Sequence, residues 1–195
     1  MDLILVKENE LPNESCDFFI EYFENSNEKL QGQTTTGLNL NIKKCLETTI
    51  YYCSKTKIFI DILRNAIYKN VDIYMKENNI PYKNIPFYEK NDLFIKKYIK
   101  NDGKFEYHDD FHIKDNCVRI ITYLFYLNDV EEGGETEFFG TYKVKPKKGK
   151  MIIFPCSWAF PHSGKMPISN DKYIISGWLL VDIKDYDKLY KCETL

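Results

Sequence analysis

Val118-Arg-Ile-Ile-Thr-Tyr-Leu-Phe-Tyr-Leu127 is the most strand-like run in this chain of 195 residues. β-Branched and aromatic side chains fill it, and such side chains fit a pleated, half-buried surface. Towards the C-terminus, Gly133-Gly134 turns the chain and Thr136 to Phe139 leaves the turn. Gly140, Pro146 and Gly149 punctuate the next connection, and Met151–Phe154, Trp158–His162 and Lys172–Val181 read as further strands. Towards the N-terminus, Lys104–Asp110 and Asp92–Ile99 continue the pattern, the latter with Leu93, Ile95 and Ile99 on one face. About seven or eight short strands are therefore expected from Pro86 onwards.

The first half reads differently. Leu3-Ile4-Leu5-Val6 is an expected edge strand. Asn13 or Ser15 is placed to cap a helix whose apolar face is Phe18, Phe19, Tyr22 and Phe23. A longer helix is predicted over Lys55–Asn78, with a stripe of Phe59, Leu63, Ile67, Val71 and Tyr74 that suits packing on a sheet. Asn78-Asn79 and Pro81 would end it. Residues 25–43 lack a period and read as a loop, a candidate cover at a site mouth. Helices followed by strands indicate an α+β, mainly β fold, an antiparallel sandwich or barrel. One domain over 1–195 is expected: a mainly helical supporting part, 1–85; a β-rich core, 86–182; and a tail, 183–195.

Composition narrows the function. A net charge of −2 argues against a general nucleic-acid or membrane binder. Six scattered cysteines without a C-x-x-C pair speak against a zinc cluster or disulfide scaffold, and reduced thiols in a cytoplasmic compartment are expected. The apolar run at Leu3–Val6 is too short for a signal peptide, and no stretch approaches the ~20 apolar residues of a membrane span.

The chemistry concentrates on Phe105-Glu106-Tyr107-His108-Asp109-Asp110. Along a strand, His108 and Asp110 face one side and Asp109 the other. With His162, they make two imidazoles and a carboxylate, the facial set of non-haem Fe(II) oxygenases. The same donors also serve catalytic zinc, although the helical H-E-x-x-H of many zinc hydrolases is absent. Lys172 precedes the apolar Tyr173-Ile174-Ile175, where a buried ammonium would need an anion such as a cosubstrate carboxylate. Strand parity puts Lys172, Ser176 and Trp178 on one face and Thr122, Leu124 and Tyr126 on another shared face. The phenols of Tyr126 and Tyr98 are candidates to bind the same anion as Lys172.

These residues resemble the Fe(II)/2-oxoglutarate-dependent dioxygenases, and within them the prolyl 4-hydroxylase group. The resemblance runs from about Asp92 to Leu180. It is carried by Tyr98…His108-x-Asp110, Arg119-x-x-Thr122-x-Leu124-x-Tyr126-Leu127-Asn128, Glu132-Gly133-Gly134-Glu135-Thr136-x-Phe138, Gly149-x-Met151-Ile152-Ile153-Phe154-Pro155, and then His162, Lys172 and Trp178. It departs before the lysine, where Asn170 stands in place of a usual glycine.

The resemblance implies a double-stranded β-helix with iron held by His108, Asp110 and His162. It implies that Lys172 binds the distal carboxylate of 2-oxoglutarate, with Tyr126, Ser176 and Thr122 assisting and Tyr98 nearby. It implies that Arg119 and Trp178 contact substrate, although Arg119 has the opposite parity to Tyr126. Dioxygen would be consumed, ascorbate is a candidate reductant, and the expected substrate is a peptidyl proline. The competing readings are the same chemistry on a free amino acid or small metabolite, a non-catalytic barrel module, and a zinc hydrolase. No nucleic-acid partner is expected.

Overall fold

The computed structural model describes residues 3–80, 87–89 and 93–184. The chain runs β1 (Leu5–Lys7), α1 (Asn13–Asn25), β2 (Leu30–Gln31), β3 (Lys43–Lys44), β4 (Leu46–Ile50), α2 (Lys57–Glu77), β5 (Tyr88–Glu89), β6 (Leu93–Tyr98), β7 (Lys104–His108), β8 (Ile113–Lys114), β9 (Cys117–Tyr126), β10 (Thr136–Phe138), β11 (Tyr142–Val144), β12 (Met151–Pro155), β13 (His162–Gly164) and β14 (Lys172–Asp182). The larger sheet has the order β1-β12-β9-β14-β6-β4-β2, with β5 added to β14 and β8 to β9. The smaller sheet is β11-β10-β13-β7-β3. Pairing is antiparallel in both, and together they form the expected double-stranded β-helix.

Strand alternation sorts the larger sheet into two cores. Ile121, Tyr123, Phe125 and Leu127 join Ile95, Ile153 and Ile175 under the helices, where they meet Phe19 and Phe23 of α1 and Leu63, Ile67 and Tyr74 of α2. Leu124 and Tyr126 turn the other way and join Ile152, Phe154 and Ile174 against Phe138 and Val144 of the smaller sheet. The first core braces the sheet from outside. The second fills the barrel and leaves one end open for the site.

Several boundaries differ from the sequence reading. Helix α1 begins at Asn13 itself, with Pro12 at the cap position and no side-chain cap. Residues 25–43 are not wholly irregular, since β2 and β3 lie at their two ends, and β4 follows where no strand was expected. The N-terminal half therefore supplies strands to both sheets. Trp158–His162 is not a strand: Phe160 N–H donates to Ser157 O in a turn, Trp158 is 78% exposed, and β13 begins only at His162. Ile99 does not share the face of Leu93 and Ile95, because β6 ends at Tyr98 and the Ile99 carbonyl accepts the amides of Asp102 and Gly103 in a turn. Pro81, Pro86, Asp92 and most of the expected tail lie outside the described residues. No helix among the described residues is long and apolar enough to cross a membrane.

Candidate active site

Two neighbouring strands of the smaller sheet supply the imidazoles. His162 on β13 is the direct antiparallel partner of His108 on β7, with ring centroids 4.3 Å apart. Asp110 lies just beyond β7, where its two carboxylate oxygens stand 3.8 Å from His108 Nε2 and 3.6 Å from His162 Nε2. The three ligand atoms all lie within 4.8 Å of one another. Asp109 turns away and accepts the Phe111 amide.

The surrounding contacts fix the ring orientations. His108 Nδ1 lies 2.8 Å from Glu106 O and His162 Nδ1 lies 3.1 Å from Phe160 O. A carbonyl only accepts, so each Nδ1 carries the proton and each Nε2 offers its lone pair to the common point. Phe105 stacks on His108 at 3.5 Å. Thr122 reaches from β9 in the opposite sheet and donates to Asp110 Oδ2 at 2.8 Å.

The electrostatics suit a cation. Burial, reinforced by His162, pushes His108 down to about 4, so its imidazole is neutral near pH 7. Burial alone would raise the Asp110 carboxyl, but His162, His108 and the Thr122 hydrogen bond outweigh it and hold it below its ordinary value. Two imidazoles and one carboxylate converging on a pocket fit a divalent metal with open coordination positions, and iron in particular.

The pocket beside the triad encloses about 470 Å³, including its open mouth. Lys172 lies within it, at 2% exposure, opposite Tyr98 in the β14–β6 ladder. Its Nζ donates to Gly134 O at 2.9 Å and sits 4.4 Å from the centre of the Tyr98 ring. Among the described residues no carboxylate pairs with it. Burial pushes its ammonium down to about 8. An incoming carboxylate would supply the missing counter-charge. The Gly133-Gly134 turn thus does more than reverse the chain. Both glycines have positive φ, and the second presents the carbonyl that holds Lys172.

Other expected residues have more specific positions than the sequence suggested. Thr122 touches the carboxylate ligand. Ser176 lines the pocket, but its hydroxyl accepts from Lys96 at 2.8 Å, and Lys172 is not its partner. Tyr126 is fully buried and donates to Thr136 Oγ1 at 2.6 Å, so it communicates with the pocket through Thr136, which lines it. Trp178 lines the mouth with Arg119 stacked on it, guanidinium carbon 3.5 Å from the ring centroid.

Strict alternation had put Arg119 on the wrong face. In the ladder between β9 and β14, Leu179 pairs with Ile121 but Leu180 pairs with Arg119. Ile120 is an extra residue, and this bulge resets the parity so that Arg119 shares the face of Trp178. Sequence reading also missed Lys96. Alternation in β6 puts it opposite Leu93 and Ile95, and it lines the pocket.

The model of the 2OG-Fe(II) oxygenase superfamily matches residues 93–180. A mimivirus protein named "Putative prolyl 4-hydroxylase", from Acanthamoeba polyphaga mimivirus, is 27% identical over 71% of this chain and 70% of its own. A Trichoplax adhaerens prolyl hydroxylase, solved with a peptide of the hypoxia inducible factor oxygen degradation domain, has a TM-score of 0.74 at 20% identity, covering 96% of this chain and 87% of its own. A viral collagen prolyl hydroxylase from Paramecium Bursaria Chlorella virus-1, solved with 2-oxoglutarate, has a TM-score of 0.67 at 22% identity, covering 92% and 97%. At such identities the two structures establish the shared fold.

Proposed function

We propose that the protein is an Fe(II)- and 2-oxoglutarate-dependent dioxygenase that hydroxylates a proline within a peptide or protein, since residues 93–180 match the model of the 2OG-Fe(II) oxygenase superfamily. The prolyl hydroxylases among its relatives support this substrate, one of them solved with a peptide. The observation that carries the cosubstrate assignment is Lys172, a buried ammonium with only a neutral carbonyl partner in the pocket that the triad faces.

In this reading His108, Asp110 and His162 hold Fe(II). Bound there, iron would activate dioxygen with 2-oxoglutarate as the co-reductant, giving hydroxylated product, succinate and carbon dioxide. The two His Nδ1 atoms stay protonated on their backbone carbonyls, so the imidazoles do not rotate away. Thr122 fixes one carboxylate oxygen of Asp110 and leaves the other free to ligate. Lys172 binds the distal carboxylate of 2-oxoglutarate and thereby orients its 2-oxo end towards the triad. Phe105, Phe138 and Phe154 pack around the imidazoles and exclude water from that side. Trp178 and Arg119 stand at the mouth, in position to meet substrate. Ascorbate is the candidate reductant that keeps the metal ferrous. The cysteines among the described residues are all free, which fits work in a reducing, cytoplasmic compartment.

The test is direct. Mixing apo protein with Fe(II) and 2-oxoglutarate without oxygen should give a weak visible charge-transfer band. Admitting oxygen with proline-containing peptides should yield succinate and a peptide heavier by one oxygen atom. A protein that binds zinc tightly, gives no band and forms no succinate would overturn the oxygenase assignment. Succinate formation with oxygen transfer to free amino acids but to no peptide would replace the peptidyl substrate with a small one.

A further inference from the structure

Lys96 is a second buried cation in the pocket, and no role in the reaction above uses it. It is 7% exposed and lies on the inner face of β6. In the ladder it stands opposite Ile174, while Tyr98 stands opposite Lys172. Lys96 and Lys172 are therefore offset by two residues along the barrel, about 7 Å. Its Nζ donates to Ser176 Oγ at 2.8 Å and lies 5.5 Å from the Trp178 ring centre.

The one carboxylate within 4 Å of it among the described residues is already engaged, and Asp110, which also acts on it, belongs to the triad. Glu47 Oε1 is 3.9 Å from Lys96 but 2.7 Å from Lys43, which is also buried and holds Gln33 O. Lys43 and Glu47 thus neutralise each other. Lys172 is matched by the distal carboxylate of 2-oxoglutarate, and a divalent metal by Asp110 and the inner carboxylate. The Lys96 ammonium is left over, with a hydroxyl for a partner, in a pocket where an unmatched charge is costly.

We propose that Lys96 and Ser176 form a second carboxylate-binding subsite in the active-site pocket. The proposal rests on the oxygenase reading and deepens it. Two carboxylates have the right chemistry: the inner one of 2-oxoglutarate, which Lys96 would share with the metal, and one belonging to the substrate. In the second case the enzyme selects an acidic side chain or a free C-terminus beside the hydroxylated carbon.

The full chain, loaded anaerobically with Fe(II), tests both. 2-Oxoglutarate is titrated by calorimetry. Acetate is then titrated onto the saturated protein, read by Trp178 fluorescence in a Trp158→Phe background. If the subsite takes the inner carboxylate, Lys96→Met weakens 2-oxoglutarate at least tenfold. If it takes a substrate carboxylate, Lys96→Met leaves 2-oxoglutarate unchanged and abolishes the acetate response. Lys96→Arg should preserve whichever binding the wild type has. Ser176→Ala, which removes the other member of the subsite and leaves Lys96 in place, should weaken it several-fold.

Lys96→Met binding both anions within twofold of wild type overturns the proposal. If that variant does not fold, Ser176→Ala that binds both anions as the wild type does overturns it. Wild type that binds no 2-oxoglutarate in the presence of Fe(II) overturns the oxygenase reading, and the subsite with it.

Discussion

His108 and His162 face each other directly across the β7–β13 ladder, so one pair of strands sets the separation of two of the three side chains proposed to hold the metal. Asp110 lies beyond the end of β7 and is held to the opposite sheet by Thr122. The imidazoles are thus positioned by backbone pairing and the carboxylate by a side-chain bond.

Replacing a ligand should remove the metal without unfolding the barrel. His108→Ala and Asp110→Ala should each abolish hydroxylation and lower Fe(II) affinity by well over tenfold, with the far-UV spectrum unchanged. Metal analysis after dialysis checks this. Full activity in Asp110→Ala would refute the ligand assignment.

Thr122→Val removes the hydrogen bond to Asp110 but keeps the shape. The expected loss of metal affinity is ~10–100-fold, typical when the partner of a metal ligand is lost. An unchanged Fe(II) titration would mean that the carboxylate is held by packing alone.

Lys172→Ala should raise the 2-oxoglutarate requirement. A charge-assisted hydrogen bond contributes about 1.5–3 kcal/mol, or roughly 10–150-fold in affinity. The rate at saturating cosubstrate should fall much less. Steady-state kinetics over a range of 2-oxoglutarate concentrations separates the two.

The same lysine sets a pH dependence. Burial lowers its ammonium from 10.5 to about 8 in the cosubstrate-free protein. Between those values the folded chain binds fewer protons than the unfolded chain, so this residue's contribution to stability rises with pH across that window and is unfavourable below it. A bound carboxylate favours the ammonium, so 2-oxoglutarate binding should take up a proton above pH ~8 and weaken as pH rises further. Calorimetry in two buffers of different ionisation enthalpy, just above that pH, would detect the uptake. The uptake should vanish in Lys172→Ala.

Gly177 sits opposite Tyr123 in the β9–β14 ladder, and a Cβ there would overlap the Tyr123 hydroxyl. Tyr123 also donates to Glu89, so it is not free to swing aside. Gly177→Ala should destabilise the fold by ~1–3 kcal/mol through overpacking. Chemical denaturation measures it, and a change below half a kcal/mol (~0.5) would show that the ring can move.

The alternation in Cys117–Tyr126 and Lys172–Asp182 was legible in the sequence because one face of each strand meets the helices and the other fills the barrel. His108 and Asp110 were legible as a pair because residues two apart share a strand face, and His162 and Lys172 because their spacing carries the family resemblance. The face of Arg119 was misassigned by parity because a bulge adds one residue and leaves no mark in residue type. Lys96 was missed because a lysine in an alternating strand is ordinarily a solvated one; only the closing of the smaller sheet over that face buries it. Strands β3 and β4 were missed because each is stabilised by its partners β7 and β6, far along the chain, more than by its own short sequence.

The bulge at Ile120 would leave a signature in any saturation survey of β9. Tolerance to polar replacements should swing with a period of two from Ile121 to Tyr126 and then slip by half a cycle before Val118. Removing a single residue at the slip would not shorten the strand noticeably. It would make the ladder regular and leave Arg119 opposite Leu180, on the face of Trp178 and now two residues from Thr122, so the extra residue is what lets an odd spacing in sequence present a charge at the entrance.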